Sequence, residues 1–515
     1  MESPASERLA NVVSRILDDS RRGVTRTASI ANRASNGMHE SAWLIYWSHD
    51  DFTVPGINPS MQTRSMIMTL VAIVMSATVF GDDNWPQFRG HGGLGIGSGN
   101  PPIDWDIQTG QNVAWKTPIL GLGHSAPIVW GDRLFLTTAV NSETDHPVVE
   151  TGWSGGEGES AMDSGEWTWQ VICLQLETGK IQWTRDACVG KPTIKRHLKA
   201  SHANCTPATD GEFVVAFFGS EGLHCFDFDG HMIWKHDFGK LHSGPYDDPE
   251  LEWGFASSPV ISNGHVIVQC DCLNANFVAI LEIKTGREIL RIDREGEVAT
   301  WSTPLVVTTA DRQQVVCNGY RQMAGYDLAN GERLWHVNNG GDVPVPTPLF
   351  ANGLIFLTNG HGRSPIYAIK PTATGDLTPS DDESDNMGLA WWQASDGSYM
   401  PTPLVKDELL YTCNDNGRLS VRDSMTGELI YRQRIGTGSQ TYSASAVEAG
   451  GHIYFVSEQG DVTVIEAGSE FRKIESNDMG EVVMATPAVS GDQLLIRTVR
   501  NLYCLRTSQD AVPVD

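Results

Sequence analysis

The sequence predicts an all-β fold, an eight-bladed β-propeller of four-stranded antiparallel blades, because one strand-rich unit recurs eight times along the chain. Each unit starts with a triad of small residues, usually ending in Pro, before an apolar strand, as in "CTPATDGEFVVA" (205–216). The third residues of the triads lie at 127, 207, 259, 304, 348, 403, 445 and 487. Apolar and polar residues alternate with period two between Gly and Asn or Asp turns, and no long amphipathic helix interrupts them.

The last unit is one strand short. Residues 488–515 hold three strands, but not the T-G-x-x-x-W strand that closes other units, as in "TGKIQW" (178–183). A similar stretch, "TGQNVAW" (109–115), precedes the first triad, with one additional residue that we expect a β-bulge to absorb. We therefore predict that an N-terminal strand completes the last blade and closes the ring. A seven-bladed ring, with the weak copy at 443–480 misassigned, is the alternative.

The first 81 residues are predicted to lie outside the propeller. Residues 1–60 are polar and indicate either an over-extended start or a long leader, while "MQTRSMIMTLVAIVMSATVFG" (61–81) has the pattern of a signal peptide. We expect residues 82–111 to form an N-terminal extension and residues 112–515 the propeller. The mature protein is thus predicted to be exported to the periplasm or the exterior, without a transmembrane segment.

The net charge and the positions of the cysteines limit which partners and which disulfide bonds we expect. The net charge of −26 disfavours nucleic acid, whose phosphates the chain would repel. Among nine cysteines, Cys173, Cys225 and Cys504 occupy apolar strand positions and are predicted to be core residues. Cys205 with Cys225 is the one disulfide pair that we predict. We expect the protein to be a monomer.

The repeated unit resembles the PQQ-like, or quinoprotein-type, propeller repeat over residues 84–506. In this resemblance Trp183, Trp234 and Trp335 match the tryptophan that packs between blades, and "NWPQFRGHGGLGIG" (84–97) matches a common start of secreted members. Such repeats build quinoprotein dehydrogenases and also the propeller lipoprotein of the outer-membrane β-barrel assembly machinery. The resemblance therefore implies the fold but leaves the chemistry open.

The resemblance to the dehydrogenases implies a quinone held between a Trp and a disulfide of adjacent cysteines, with a calcium ion. This chain has no adjacent Cys pair, and the acidic run 381–385 lacks EF-hand spacing. We therefore expect no metal and no cofactor, with PQQ and calcium as the alternative. In that alternative Trp301 is the candidate stacking floor.

The predicted binding site is the central mouth of the ring, where the residues before each triad converge. Those residues are His124, Asn204, Ala256, Trp301, Val345, Met400, Tyr442 and Met484. We add His202, Trp253 on the loop into the third blade, and a basic rim formed by Lys195, Arg196 and Lys199, which suits an acidic ligand or partner. There are two alternatives. The channel residues bind only water molecules, or the basic segment is an ordinary solvated loop without a ligand.

These observations predict an exported, non-catalytic binding or scaffold module for protein or carbohydrate at the cell envelope. The alternative function is a PQQ-dependent quinoprotein dehydrogenase that oxidises alcohols or sugars at an atypical site. No catalytic residue can be assigned from the sequence.

Overall fold

The computed structural model describes residues 83–145, 147–152, 158–338, 340–362, 364–380 and 387–508. The predicted leader, the predicted signal peptide and the acidic run 381–385 lie outside the described residues. Within the described part, the chain forms eight antiparallel blades around a central channel, as the sequence predicts. None of the helices in this part has the length and apolar character needed to cross a membrane.

The ring closes through its first strand. Strand β1 (Val113–Pro118) pairs antiparallel with β33 (Asn501–Leu505), and Trp115 lies opposite Cys504. A β-bulge separates Val113 from Trp115, but the outer strands of the other blades have the corresponding bulge. The additional residue of this segment therefore lies in the preceding turn, where Asn112 has a φ of 55°.

The first four blades follow one another along the chain, and each runs from an inner to an outer strand. Blade 1 contains β2 (Ile128–Trp130), β3 (Arg133–Asn141), β4 (Trp167–Gln175) and β5 (Ile181–Gly190). Blade 2 contains β6 (Ala208–Thr209), β7 (Phe213–Phe217), β8 (Leu223–Asp227) and β9 (Met232–His236). Blade 3 contains β10 (Val260–Ser262), β11 (His265–Asp271), β12 (Asn276–Glu282) and β13 (Glu288–Asp293). Blade 4 contains β14 (Leu305–Thr308), β15 (Gln313–Cys317), β16 (Gln322–Asp327) and β17 (Arg333–Asn338).

The last four blades repeat this order. Blade 5 contains β18 (Leu349–Ala351), β19 (Leu354–Thr358), β20 (Ile366–Ile369) and β22 (Leu389–Gln393). Between β20 and β22, strand β21 (Gly375–Asp376) joins blade 4 as a fifth strand, parallel to β17. Blade 6 contains β23 (Leu404–Lys406), β24 (Leu409–Cys413), β25 (Arg418–Asp423) and β26 (Leu429–Arg434). Blade 7 contains β27 (Val447–Ala449), β28 (His452–Val456), β29 (Asp461–Glu466) and β30 (Lys473–Asp478). Blade 8 contains β31 (Ala488–Ser490), β32 (Gln493–Arg497), β33 and β1. Two short 3-10 segments are His91–Gly93 and Gly219–Glu221.

The core lies between neighbouring blades and is sealed by the repeated tryptophans. Trp183 donates its Nε1–H to the carbonyl of Phe228 in blade 2 at 2.9 Å, and Trp234 donates to Ile283 in blade 3 at 2.6 Å. Trp335 is fully buried, but its indole donates to Gln314 Oε1 within its own blade. The prediction that these indoles pack between blades is confirmed for Trp183 and Trp234, which make the same hydrogen bond to the next blade, and for Trp335, which lies in an apolar cluster formed by blades 4 and 5.

The extension before β1 crosses one end of the channel. Trp85 pairs with Val129 in blade 1, and Ile96 pairs with Glu448 in blade 7. Between them, the buried Arg89 donates to the carbonyls of Pro403 at 2.8 Å and Ala446 at 2.9 Å. Burial lowers the pKa of the Arg89 guanidinium to about 9. The extension therefore holds blades 6 and 7 together through backbone acceptors.

The predicted disulfide is wrong. Cys205 and Cys225 are both free and buried, and they lie in one apolar cluster between blades 2 and 3. Cys173 and Cys504 are free and fully buried as well. Burial raises the pKa of the Cys173 thiol to about 11, so these side chains act as small apolar core residues.

Candidate functional site

The channel wall begins with a ring of hydroxyl side chains. In six of the eight joints between blades, the backbone N–H of the second triad residue donates to the hydroxyl of the equivalent residue in the next blade. Ala126 N–H donates in this way to Thr206 Oγ1 at 2.9 Å, and Ser445 N–H donates to Thr486 Oγ1 at 3.0 Å. Apart from Ala126, these residues line the cavity: Thr206, Ser258, Thr303, Thr347, Thr402, Ser445 and Thr486. The triads are thus small because the inner strands approach one another closely here.

This ring corrects the predicted register of blade 7. Ser445 takes the second position of its triad, so the triad is 444–446 and the residue before it is Ser443. Ser443 lines the cavity, whereas Tyr442 is buried in the core, with its ring beside Gly417. A shift of one residue along an extended strand turns a side chain to the opposite face. Tyr442 is therefore not at the mouth.

The mouth is a cavity of about 560 Å³ whose wall is formed by the residues that precede the triads. Besides Ser443, these are His124, Asn204, Ala256, Trp301, Val345, Met400 and Met484. Phe88 of the extension also lines this cavity and a smaller one of about 230 Å³ beyond it, so it forms the floor between them. The site is concave and mixed in character, as small-ligand sites usually are.

One side of the cavity is aromatic. The rings of Trp253 and Trp301 lie 5.5 Å apart with 35° between their planes, and His197 packs edge-on against Trp253 at 5.6 Å. Trp253 donates its Nε1–H to the Gly158 carbonyl at 2.6 Å, and Trp301 donates to the Gly254 carbonyl at 2.8 Å. Because the backbone accepts both N–H groups, the two indoles offer a ligand mainly their faces.

The other side of the cavity carries a carboxylate, Glu458, whose two oxygens both already accept hydrogen bonds from the protein. Glu458 is 1 % exposed and its Oε1 forms an ion pair with Lys199 Nζ at 2.7 Å. Its Oε2 accepts from Gly152 N–H and from Thr441 Oγ1, both at 2.8 Å, and Ser443 Oγ donates to its Oε1. Glu458 therefore ties segments before blade 2 to blade 7 across the mouth.

A second carboxylate, Asp415, also faces the cavity. Burial raises the pKa of Asp415 above its usual value, and its side chain accepts no side-chain hydrogen bond from the described residues. Tyr399 and His361 line the same region, with ring centroids 5.3 Å apart. Burial, with the nearby charge of Asp415, raises the pKa of Tyr399 to about 12. Apart from the hydrogen bond that it accepts from the Asn416 backbone N–H, the Asp415 carboxylate stays available to a ligand.

Two of the three histidines that line the mouth, His124 and His197, are neutral near pH 7. Burial and then the charges of Arg497 and Arg196 lower the pKa of His124 to about 3, and its Nε2 faces the Lys199 carbonyl at 3.1 Å. Burial and the charge of Lys199 lower the pKa of His197 to about 4, and its Nδ1 accepts from Lys199 N–H at 3.0 Å. The histidines therefore act as hydrogen-bonding groups that shape the loop rather than as cations.

The structure brings four of the eight predicted site residues to the cavity wall, namely His124, Lys199, Trp253 and Trp301. Arg196 is not on the rim, because it is 1 % exposed and its Nε and Nη2 bind the Asp163 carboxylate at 2.7 and 2.9 Å. His202 does not line the cavity either. Its ring centroid lies 4.7 Å from that of Trp167, and its Nε2 lies 3.3 Å from Asp163 Oδ2.

The basic rim is therefore largely neutralised. Burial raises the pKa of Asp163, but hydrogen bonds from His202 and Arg196 outweigh it and lower the pKa to about 2. Lys199 is paired with Glu458, and Lys195 is exposed beside Met162. The positive charge that the sequence suggested for this loop is therefore reduced, because Arg196 and Lys199 are paired with carboxylates while the Lys195 ammonium is not paired with one in the described structure.

Two mouth residues that the sequence reasoning missed share one position in the repeat. Asp415 in "CNDNGRL" (413–419) and Glu458 in "VSEQGDV" (456–462) both stand two residues before the Gly of the turn between the second and third strands. An acidic residue at this position of the unit is the signal that would have found them, since these turns face the mouth in both blades.

The mouth does not fit a PQQ cofactor with calcium. The quinone is a tricarboxylate, yet the one lysine in the lining is already paired, and the other charged groups are the carboxylates Asp415 and Glu458. Calcium prefers six to eight oxygen ligands. Among the described residues, no group of three or more His, Cys, Asp or Glu side chains could hold a metal ion.

Solved structures with this fold include a methanol dehydrogenase that contains europium, at 10 % identity and a TM-score of 0.54, covering 82 % of this chain and 91 % of that one. BamB from Moraxella catarrhalis matches at 12 % identity, with a TM-score of 0.45, over 72 % of this chain and 99 % of that one. The computationally designed protein Ika8 matches at 11 % identity with a TM-score of 0.44, over 70 % of this chain and 99 % of that chain. At these identities the likeness to the methanol dehydrogenase concerns the fold alone.

No curated protein matches the sequence. The family model described as "Outer membrane protein assembly factor BamB" matches residues 168–433, which is just over half of the 515 residues. This match confirms the resemblance drawn from the repeated unit. The chain belongs to the family of PQQ-like repeat propellers that this model describes.

Proposed function

We propose that this protein is an exported, non-catalytic binding propeller of the cell envelope whose channel mouth takes a carbohydrate. The observation that carries the proposal is the pair of indoles, Trp253 and Trp301, on one side of a polar cavity of about 560 Å³. A cavity of this size admits a small molecule or the end of a chain, but not a folded protein surface.

The two sides of the cavity match the two faces of a sugar. The C–H face of a sugar ring stacks on an aromatic face, and the N–H groups of both indoles are already accepted by the backbone. Sugar hydroxyls would meet Asn204 on the wall next to the indoles, and Ser443 and the carboxylate of Asp415 elsewhere in the cavity. A ligand with one apolar face and many hydroxyls satisfies both sides at once.

The carboxylates support binding rather than hydrolysis. A glycosidase uses a pair of carboxyl groups, one to donate a proton and one to act as base or nucleophile. Glu458 is occupied by Lys199, Thr441 and the Gly152 N–H, so neither of its oxygens is available to a substrate. Asp415 is then a single acceptor, which can hold a hydroxyl but lacks the second group.

The cell envelope is proposed as the location on two grounds. The apolar run at 61–81 has the pattern of a signal peptide, and the family description names an assembly factor of the outer membrane. The same description makes a protein partner the second candidate. Exposed apolar pairs on outer strands favour it, namely Met232 with Ile233 and Leu429 with Ile430.

The proposal is tested by glycan-array binding followed by calorimetry on the best glycan. Trp301→Ala is expected to weaken binding about tenfold or more, because it removes a stacking face. Trp392→Ala is the matched control, since Trp392 is exposed on blade 5 outside the cavity and should leave binding unchanged. Equal binding by both variants, or no glycan bound by the wild type, would overturn the carbohydrate proposal.

Two further measurements separate the alternatives. After incubation with PQQ and calcium and gel filtration, we expect no retained quinone absorbance, and retained absorbance would favour the dehydrogenase. A protein partner is indicated by a purified complex that is lost on Ile430→Asp but kept in Trp301→Ala, because only the former lies on an outer strand.

A further inference from the structure

A group of arginines converges on one carboxylate between blades 5 and 6. Asp396, in the loop after β22, accepts from Arg432 Nη2 at 2.7 Å and from Arg422 Nη2 at 2.8 Å. Arg418 Nη2 lies 3.5 Å from the other oxygen of the same carboxylate. In the described part of the chain, Asp396 is the one acidic side chain that pairs with these arginines.

These arginines share one face of blade 6 with a fourth. Arg418, Ser420 and Arg422 occupy every second position of β25, so their side chains share one face. On β26, Arg432 lies opposite Ser420, and Arg434 lies opposite Arg418. Directly opposed residues of antiparallel strands point to the same face, and like charges at such positions destabilise the sheet. Four guanidinium groups against one carboxylate leave about three uncompensated positive charges here. We call this set the arginine face.

Several donors of the arginine face have no protein acceptor. Arg418 and Arg432 are each 44 % exposed. Arg432 uses Nε on Ser420 Oγ and Nη2 on Asp396, and its Nη1 has no partner among the described residues. Arg422 is buried, and its Nε is also without a partner in the described structure. The face thus presents the exposed guanidinium groups of Arg418 and Arg432, which are both paired with Asp396.

The arginine face lies beside the mouth but is distinct from it. Arg418 begins β25 directly after the turn whose Asp415 lines the cavity, and Arg434 Nη1 donates to the Asn416 carbonyl of that turn at 2.5 Å. None of the four arginines lines the cavity. In contrast to Arg196 and Lys199, which meet their own carboxylates, this face keeps excess positive charge in a chain of net charge −26.

We infer that the arginine face binds a phosphate-bearing anion. The planar guanidinium fork matches phosphate oxygens, and a phosphate of charge about −1.5 to −2 would offset most of the local excess. A carboxylate would neutralise less of it, and Asp396 already fills the inner position. The phosphate group can come from a soluble molecule or from a lipid headgroup, and both present the same chemistry.

The test measures line broadening of inorganic phosphate by phosphorus-31 NMR at constant ionic strength. The variant Arg418→Gln with Arg432→Gln is expected to weaken binding about tenfold or more, because it removes charge-assisted hydrogen bonds. Arg422 stays in this variant, so Asp396 keeps a partner. The matched control is Arg287→Gln with Arg472→Gln, which removes two exposed arginines that each pair with one Glu.

Broadening in the wild type and in the control, with loss in the Arg418 and Arg432 variant, supports the site. Equal broadening in all three proteins, or none in the wild type, overturns it. If the double variant fails to fold, Arg434→Gln replaces it, since Arg434 is exposed and, among the described residues, its side chain donates to the Asn416 carbonyl alone. Sedimentation with phosphatidylglycerol vesicles identifies a lipid source if the wild type and the control bind them and the double variant does not.

Discussion

The indole of Trp115, in the first strand, lies against Gly179 of blade 1. A Cβ atom built on Gly179 would lie 2.4 Å from Trp115 Cε3, and Trp115 donates its Nε1–H to the nearby Leu176 carbonyl at 2.8 Å. Trp183 meets Gly230 in the same way, and Trp391 meets Gly427. The joint that closes the ring is therefore the same joint that connects other neighbouring blades.

Gly179→Ala is expected to destabilise the propeller more than a substitution that only strains the backbone. Gly179 has a φ of 66°, which costs an Ala about 1–2 kcal/mol, and the clash with Trp115 adds about 1–3 kcal/mol. Gly131→Ala is the matched control, because Gly131 has a φ of 59° and open space around its Cβ position. Urea unfolding measures both, and equal losses would show that the indole does not confine Gly179.

The neighbours Trp391 and Trp392 provide a second test of the joints between blades. Trp391 is 9 % exposed and donates to the Ser424 carbonyl in blade 6, whereas Trp392 is 38 % exposed. Trp391→Ala should cost about 3–5 kcal/mol of unfolding free energy, because it leaves a cavity between blades. Trp392→Ala should cost far less. Similar values for the two variants would contradict the assignment of the buried position to Trp391.

Removal of residues 83–118 tests the closing strand together with the extension that precedes it. Without β1, the edge of β33 and the apolar surface under Trp115 are exposed, so we expect oligomers or aggregates in size-exclusion chromatography with light scattering. Lys116→Ser is the control, because it changes an exposed side chain of β1 and leaves the pairing intact. A shortened chain that remains monomeric with unchanged melting would show that β1 is dispensable.

The fold was predictable because its signals are local and repeated. The triads before the inner strands and the T-G-x-x-x-W ends recur often enough to reveal the missing outer strand of blade 8. The one error of register, at Tyr442, occurred where the triad lacks its Pro. There the hydroxyl ring, which depends on packing of whole blades, sets the position of Ser445.

The site was less predictable because its charges are paired across long sequence distances. Arg196 meets Asp163 from the insertion of blade 1, and Lys199 meets Glu458 from blade 7. A single sequence shows a basic loop but does not show which carboxylates fold against it. By contrast, His124 and Trp301 were found because their place next to a triad fixes their direction, and Trp253 was found on the loop that leads into the third triad.

The stability of the protein should fall as the pH drops from about 6.5 towards 4, in part because of His124. Burial and neighbouring arginines lower its folded pKa to about 3, whereas an unfolded His titrates near 6.5. In this window the unfolded chain binds a proton that the folded chain excludes, so stability rises with pH. His124→Gln should flatten the dependence by up to ~1.4 kcal/mol per pH unit.

Urea unfolding between pH 4.5 and 7 measures this slope. His91→Gln is the control, because the His91 side chain is exposed. An unchanged slope in the His124 variant would show that this imidazole accepts a proton equally well in the folded and unfolded chains.

Glu458→Gln is expected to loosen the segments that cross the mouth. The carboxylate accepts from Lys199, Thr441, Ser443 and the Gly152 N–H, and an amide presents an NH₂ group to some of these donors instead of an oxygen. Because Lys199 is 25 % exposed, water compensates part of the lost ion pair, so the effect should be local rather than global. Hydrogen exchange should therefore become faster in residues 147–152 and 191–202, with little change in the inner strands.

Glu466→Gln, which removes an exposed carboxylate of blade 7 paired with Arg472, is the control. Unchanged exchange in both segments would show that Glu458 does not hold them, and that the shape of the mouth is set by the indoles and the loop backbone.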